Sequence, residues 1–135
     1  MNTKDIGDTA EARVLFELKS MGYAVLTPFG DNQAYDLVIE SDGKFTKVQV
    51  KSATVSNSCV QFNTDRISQR VDNSGTQYSS DEIDCFIAYC SQTDSCYYLS
   101  VEDAPKSKAN LRLSAKRETS RIRWADEYLL SDNEP

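Results

Sequence analysis

At the start of the chain the apolar side chains of Ile6, Ala10, Val14, Leu15, Leu18 and Met21 recur at helical spacing, and Gly22 follows them. This pattern predicts an amphipathic helix over Thr3–Met21, stopped by the glycine. Beyond it the period shortens. Tyr23–Thr27, Ala34–Glu40 and Phe45–Ala53 are β-prone runs; Pro28 ends the first, and Ser41-Asp42-Gly43-Lys44 separates the second from the third. Asp-Gly between two such runs is a strong hairpin signal, because a tight two-residue turn needs positive φ at both central positions. Residues 54–80 are rich in Ser, Asn, Thr and Gln and are expected to form an irregular excursion around Val60-Gln61-Phe62. Ile83–Cys90 and Cys96–Val101 are two further predicted strands, joined by the turn-prone Ser91–Ser95. A short helix near Glu102–Ala109, an extended Leu111–Leu113 and a closing helix from about Ala115 to Leu130 complete the expectation. Helix, then strands, then helix gives an α/β class: a small mixed β-sheet flanked by helices in a single domain spanning residues 1–135.

The predicted hairpin brings specific side chains together. With Asp42-Gly43 as the central pair, Leu37 faces Val48, Asp36 faces Gln49 and Tyr35 faces Val50. Alternation then puts Tyr35, Leu37, Ile39, Val48 and Val50 on one apolar face, and Asp36, Gln49 and Lys51 together on the other. The helix adds a fourth group. On a helical wheel Glu11 falls between Val14, Leu15 and Leu18, inside the apolar arc. A carboxylate aimed at a core must be neutral, paired or bound to a cation. A salt bridge to Lys51, or simple snorkelling at the edge of the arc, satisfies that requirement as well as a metal does. Two carboxylates and an amide oxygen beside a lysine nevertheless form a hard-oxygen donor set with a positive group at hand, which is what divalent-metal phosphodiester hydrolysis requires.

Composition narrows the chemistry. The chain has no histidine, so imidazole bases, nucleophiles and ligands are excluded, and with them Ser-His-Asp and Cys-His catalysis. Cys59, Cys85, Cys90 and Cys96 contain no CxxC pair, so they are read as small buried hydrophobes kept reduced and not as a zinc site. No apolar run reaches bilayer length, and no apolar signal core follows Met1–Gly7, so the expected setting is cytoplasmic, with no membrane partner. The net charge of -6 is the wrong sign for a protein that grips phosphates indiscriminately, but the charge is segregated. Between Lys106 and Arg123 lie Lys106, Lys108, Arg112, Lys116, Arg117, Arg121 and Arg123 against the single acid Glu118. Of these, Lys106, Lys108, Arg112, Arg121 and Arg123 are the candidate contacts to a polyanion, with Arg66 and Arg70 as further candidates. A solvated basic face is the alternative for the same residues.

A helix glutamate, an aspartate heading a hairpin and an acid-or-Gln-x-Lys on the next strand resemble the signature of the PD-(D/E)XK nucleases. Here it reads Gly7-Asp8-x-x-Glu11, then Tyr35-Asp36-Leu37-Val38-Ile39, then Gln49-Val50-Lys51. The run from Gly7 to Glu40, the following Lys47–Ala53, and the later Ile83–Cys90 and Cys96–Pro105 are similar to the branch associated with group I introns, in which Gln replaces the usual acid. The resemblance implies a restriction-endonuclease-like core and a Mg²⁺-dependent endonuclease acting on double-stranded DNA. It implies catalytic roles for Glu11, Asp36, Gln49 and Lys51, with Glu11, Asp36 and Gln49 holding the metal. Two positions depart from the wider pattern: Tyr35 replaces proline, and Gln49 carries no charge. Cutting both strands with one small domain calls for a homodimer or homotetramer. A structure-selective nuclease of the Holliday-junction-resolvase type and a non-cleaving DNA-binding relative are the alternatives.

Overall fold

The computed structural model describes residues 1–66, 76–114 and 121–135. Helix α1 covers Thr3–Ser20; Asn2 caps it, its side chain accepting from the Asp5 N–H. Gly22 takes φ +92°, and the Gly22 and Tyr23 N–H groups donate to the carbonyls of Lys19 and Leu18, so the glycine ends the helix as expected. Strand β1 is Ala24–Leu26, β2 is Leu37–Ser41 and β3 is Lys44–Ser56. The turn between β2 and β3 has φ 53° at Asp42 and 79° at Gly43, and its register pairs Leu37 with Val48, as the Asp-Gly signal requires.

The described part of the excursion expected over 54–80 is instead largely strand. β3 runs on to Ser56, turns through Asn57-Ser58 with positive φ at both, and returns as β4 over Cys59–Asn63. Asn-Ser is a weaker turn signal than Asp-Gly, which hid this hairpin among polar residues. Strands β5 (Asp65–Arg66) and β6 (Thr76–Gln77) pair with each other. Strands β7 (Cys85–Cys90) and β8 (Ser95–Ser100) form the hairpin expected near the chain's middle. The helix expected at Glu102–Ala109 is not there: turns lead into β9, Lys108–Arg112, which pairs with β4 along its whole length. The closing helix is also corrected. Residues 115–120 lie outside the described part, and the remainder has short 3₁₀ turns at Ala125–Tyr128 and Leu130–Asp132.

Seven strands form one mixed sheet in the order β1-β2-β3-β4-β9, with β7 parallel to β3 and β8 antiparallel to β7. Strand β7 is buried on both faces, which is why Cys85–Cys90 reads as an uninterrupted apolar run. On one face Ala10, Val14 and Leu18 of α1 pack on Leu37, Ile39, Val48, Val50, Cys85 and Ile87. On the other face Phe86, Ala88 and Leu99 pack with Val60 and Phe62 of β4 and with Ala109 and Leu111 of β9. All four cysteines are free and buried, and burial pushes the Cys85 and Cys96 thiols up. Among the described residues no helix is long and apolar enough to cross a membrane.

Candidate active site

Strand β2 begins at Leu37, and the chain entering it departs from the expected alternation. The Asp36 N–H donates to the Val48 carbonyl at 2.8 Å, although Val48 is already the partner of Leu37. Two successive residues therefore stand against one, which is the arrangement of a β-bulge. It corrects two expectations. Asp36 does not face Gln49, and Tyr35 packs against the Phe86 cluster instead of joining Leu37 and Ile39. The bulge aims the Asp36 carboxylate at the backbone of β3, where Oδ2 accepts from the Val50 N–H at 2.9 Å. The side chain thus takes a ladder position that β2 vacates, and this fixes the carboxylate with a partly buried hydrogen bond.

Glu11 reaches the same place from α1. Both acids line a cleft of about 220 Å³ together with Thr27, Pro28, Gly30, Asp31, Gln33 and Tyr35. Among the described residues Glu11 makes no ion pair with Lys51, so the salt-bridge alternative for this carboxylate is not realised. Burial raises the Glu11 carboxyl above its ordinary value, and the negative charges of Asp36 and Asp8 raise it further. Burial likewise raises the Asp36 carboxyl, against the lowering effects of the Val50 hydrogen bond and the Lys51 charge. Two acids on a common cleft, with the Asp36 charge disfavouring ionisation of Glu11, concentrate negative charge in one place.

Lys51 and Gln49 alternate on β3 and are both half-buried. The Gln49 amide nitrogen donates at 3.4 Å to the Val50 carbonyl. Burial lowers the Lys51 ammonium from its ordinary value, opposed by the charges of Asp36 and Asp65, and Nζ donates at 3.4 Å to the Asp65 carbonyl on β5. Sequence reading missed one neighbour. The ring of Tyr78 stands 5.4 Å from Lys51 Nζ and 4.9 Å from the Arg66 guanidinium, and its edge packs on Phe86 with 5.5 Å between centroids. Nothing in the local sequence Gln77-Tyr78-Ser79 marks it, because only the short β5–β6 ladder carries it to the site. Arg66, one of the candidate anion contacts, is held in an ion pair with Glu82. Arg70 lies outside the described residues.

Four of the five principal basic candidates meet elsewhere. Lys108, Arg112, Arg121 and Arg123 line a second cleft, of about 310 Å³, with Cys59, Pro105, Asn110 and Ile122. Lys106 is exposed and does not line it. Arg123 also donates to the Asp103 carbonyl at 2.8 Å, whereas Arg112 reaches the Asn57 carbonyl at 3.4 Å.

The sequence profile of the PD-(D/E)XK endonucleases matches residues 1–131. The chain belongs to this family. The solved structure of a bacterial homing endonuclease, I-Ssp6803I, superposes with a TM-score of 0.81 and 27% identity, over 97% of this chain and 90% of that one. A 65-residue stretch is 42% identical to Protein 5.3 of Escherichia phage T7, covering 47% of this chain and 52%, about half, of that relative. For a PD-(D/E)XK chain the metal question is specific. Among the described residues no group of three or more Asp, Glu, Cys or His side chains is placed to hold an ion. Gln49 is not among the residues lining the acids' cleft, which offers a cation the carboxylate oxygens of Glu11 and Asp36. These are the hard oxygen donors that suit Mg²⁺, which keeps several waters and commonly uses only one or two carboxylates.

Proposed function

We propose that this protein is a Mg²⁺-dependent endonuclease of the homing type that hydrolyses phosphodiester bonds in double-stranded DNA. The observation carrying this reading is the pair of acids on one cleft, Glu11 and Asp36, each raised and with the Lys51 charge acting on Asp36. Glu11, Asp36 and the Gln49 oxygen would hold the cation. When bound, the cation makes hydroxide available near neutral pH and offsets negative charge growing on the phosphate. Asp36 is aimed by its Val50 hydrogen bond, so the carboxylate is set before substrate arrives. Lys51, held by the Asp65 carbonyl and the Tyr78 ring, supplies a fixed positive charge toward the phosphoryl oxygens in a partly desolvated place. The basic cleft around Arg112 and Arg121 supplies phosphate contacts that an acidic chain otherwise lacks. A cut in each strand needs two such sites, which makes a homodimer or homotetramer the working assembly.

Incubating the purified protein with duplex of random sequence, a four-way junction and single strands, with and without Mg²⁺, tests the reading. Metal-dependent scission of duplex is the expected result. Scission confined to junctions of any sequence would replace it with a resolvase activity, and tight binding without scission would make the protein a non-cleaving relative.

Tyr78 gives a further expectation. Tyr78→Phe keeps the ring face and should retain cleavage within about threefold. Tyr78→Leu keeps an apolar side chain but loses the face, and should lower kcat by roughly 5- to 30-fold with little change in DNA affinity, in proportion to a partly desolvated cation–π contact of ~1–2 kcal/mol. Equal rates for Leu and wild type would remove Tyr78 from the site.

A further inference from the structure

The sheet carries a second polar surface, distinct from the cleft of acids. Beyond α1, one face of β3, β4 and β9 is open among the described residues, with Thr54 and Asn110 exposed on it. Their opposite face is core: Val55, Val60 and Leu111 stand in one row and pack with the Phe86 cluster. On the uncovered face Thr54 pairs with Gln61 and Gln61 with Asn110, so three hydrogen-bonding side chains form a row across three strands. On β9, Lys108 and Arg112 flank Asn110 on the same face, two residues away on either side. The segment bearing Arg121 runs beside β9, tied by the Arg112 N–H donating at 2.7 Å to the Arg123 carbonyl.

We infer that this face reads base edges in the major groove, with Gln61 and Asn110 as specificity-determining residues and Arg121 as a phosphate contact. The inference rests on the nuclease reading and adds to it where sequence selection is made. Three features favour duplex DNA as the occupant. Among the described residues that line the cleft over β9 none is acidic, although the chain as a whole has a net charge of -6. The side chains are the types that make paired hydrogen bonds to bases, Gln and Asn to adenine and Arg or Lys to guanine. The dimensions also agree. The major groove is about 12 Å wide and admits a two-stranded ribbon, and a row across three strands spans roughly 10 Å, about three base steps.

Selection from a library of randomised duplexes, by binding in the absence of Mg²⁺, tests this. Wild type should enrich a consensus. Gln61→Ala and Asn110→Ala, both on an open face and checked for unchanged circular dichroism, should each relax the consensus at one position. The loss of discrimination expected there is about 5- to 150-fold, with an unchanged slope of log affinity against log salt. Neighbouring side chains across strands lie about 5 Å apart, so the two relaxed positions should fall within one or two base steps of each other. Arg121→Gln should do the reverse, lowering the salt slope by about 1 and leaving the consensus intact. A consensus unchanged in both Ala variants, relaxed positions far apart, or no consensus for wild type would overturn the reading face while leaving the nuclease assignment standing. Failure of wild type to bind any duplex would overturn both.

Discussion

Asp36→Asn is expected to abolish cleavage and at the same time to make the protein more stable. Cleavage should fall by at least about 10³-fold, because the change removes one of the two carboxylates available to a cation. The amide oxygen of Asn can still accept from the Val50 N–H, so the bulge is retained. Stability moves the other way because burial raises the Asp36 carboxyl above its ordinary value by more than the Val50 hydrogen bond and Lys51 lower it. A carboxyl raised on folding contributes stability that is complete in acid, below its unfolded value, and is lost as the pH rises through its folded value. Above that folded value the wild-type protein has lost the contribution, whereas the Asn variant has no proton to lose. Its thermal midpoint should exceed wild type by roughly 3 °C for each 1 kcal/mol relieved, with the gap closing as the pH falls through the carboxylate range. Thermal scans at several pH values alongside a nicking assay check both halves. Loss of stability would mean that Asp36 is a structural residue of the bulge.

Lys51→Met is the second change with a large expected effect. Methionine keeps an unbranched stem against Tyr78 and removes the charge, so the fold should hold while cleavage falls by about 10²- to 10³-fold. The variant also has a signature independent of cleavage. The Lys51 charge lowers the Asp36 carboxyl, so without it Asp36 rises further and holds its proton to higher pH. A proton and a cation compete for the same carboxylate, so the pH at which Mg²⁺ begins to raise the thermal midpoint should move upward relative to wild type. Wild-type cleavage by Lys51→Met, or an unmoved pH dependence of the metal effect, would place Lys51 outside the site.

Much of this was legible in the chain because local rules and the global fold agree there. Gly22 and Asp42-Gly43 each demand positive φ and each has it, so the end of α1 and the β2–β3 register followed directly from residue type. Glu11 stood out as a charge in an apolar arc, and it does line the same cleft as Asp36. The alternation argument failed at Tyr35 and Asp36, where a bulge inserts one residue without any change in the apolar pattern. It failed also at Lys108–Ala109, taken as the end of a short helix, although polar Lys108, Asn110 and Arg112 alternating with apolar Ala109 and Leu111 is the signature of a strand with one exposed face; Leu111 and Arg112 are extended as expected. Tyr78 was invisible because its role depends on a contact with β3, far away in sequence. Basic residues were flagged by charge alone, and only the pairing of β4 with β9 shows that Asn110 and Gln61 share their face.

The convergence of Glu11, Asp36 and Gln49 on one cation is tested most directly by titrating the protein with Mn²⁺, a paramagnetic ion accepted by the same oxygen donors, and following backbone amide resonances by NMR. The test needs neither the DNA target nor turnover. Selective broadening is expected at Glu11, Asp36 and Gln49–Lys51, to be competed away by Mg²⁺ and absent in Asp36→Asn. Broadening centred instead on the exposed acids Asp81 and Asp84, or unchanged by Asp36→Asn, would contradict a shared metal site at the bulge.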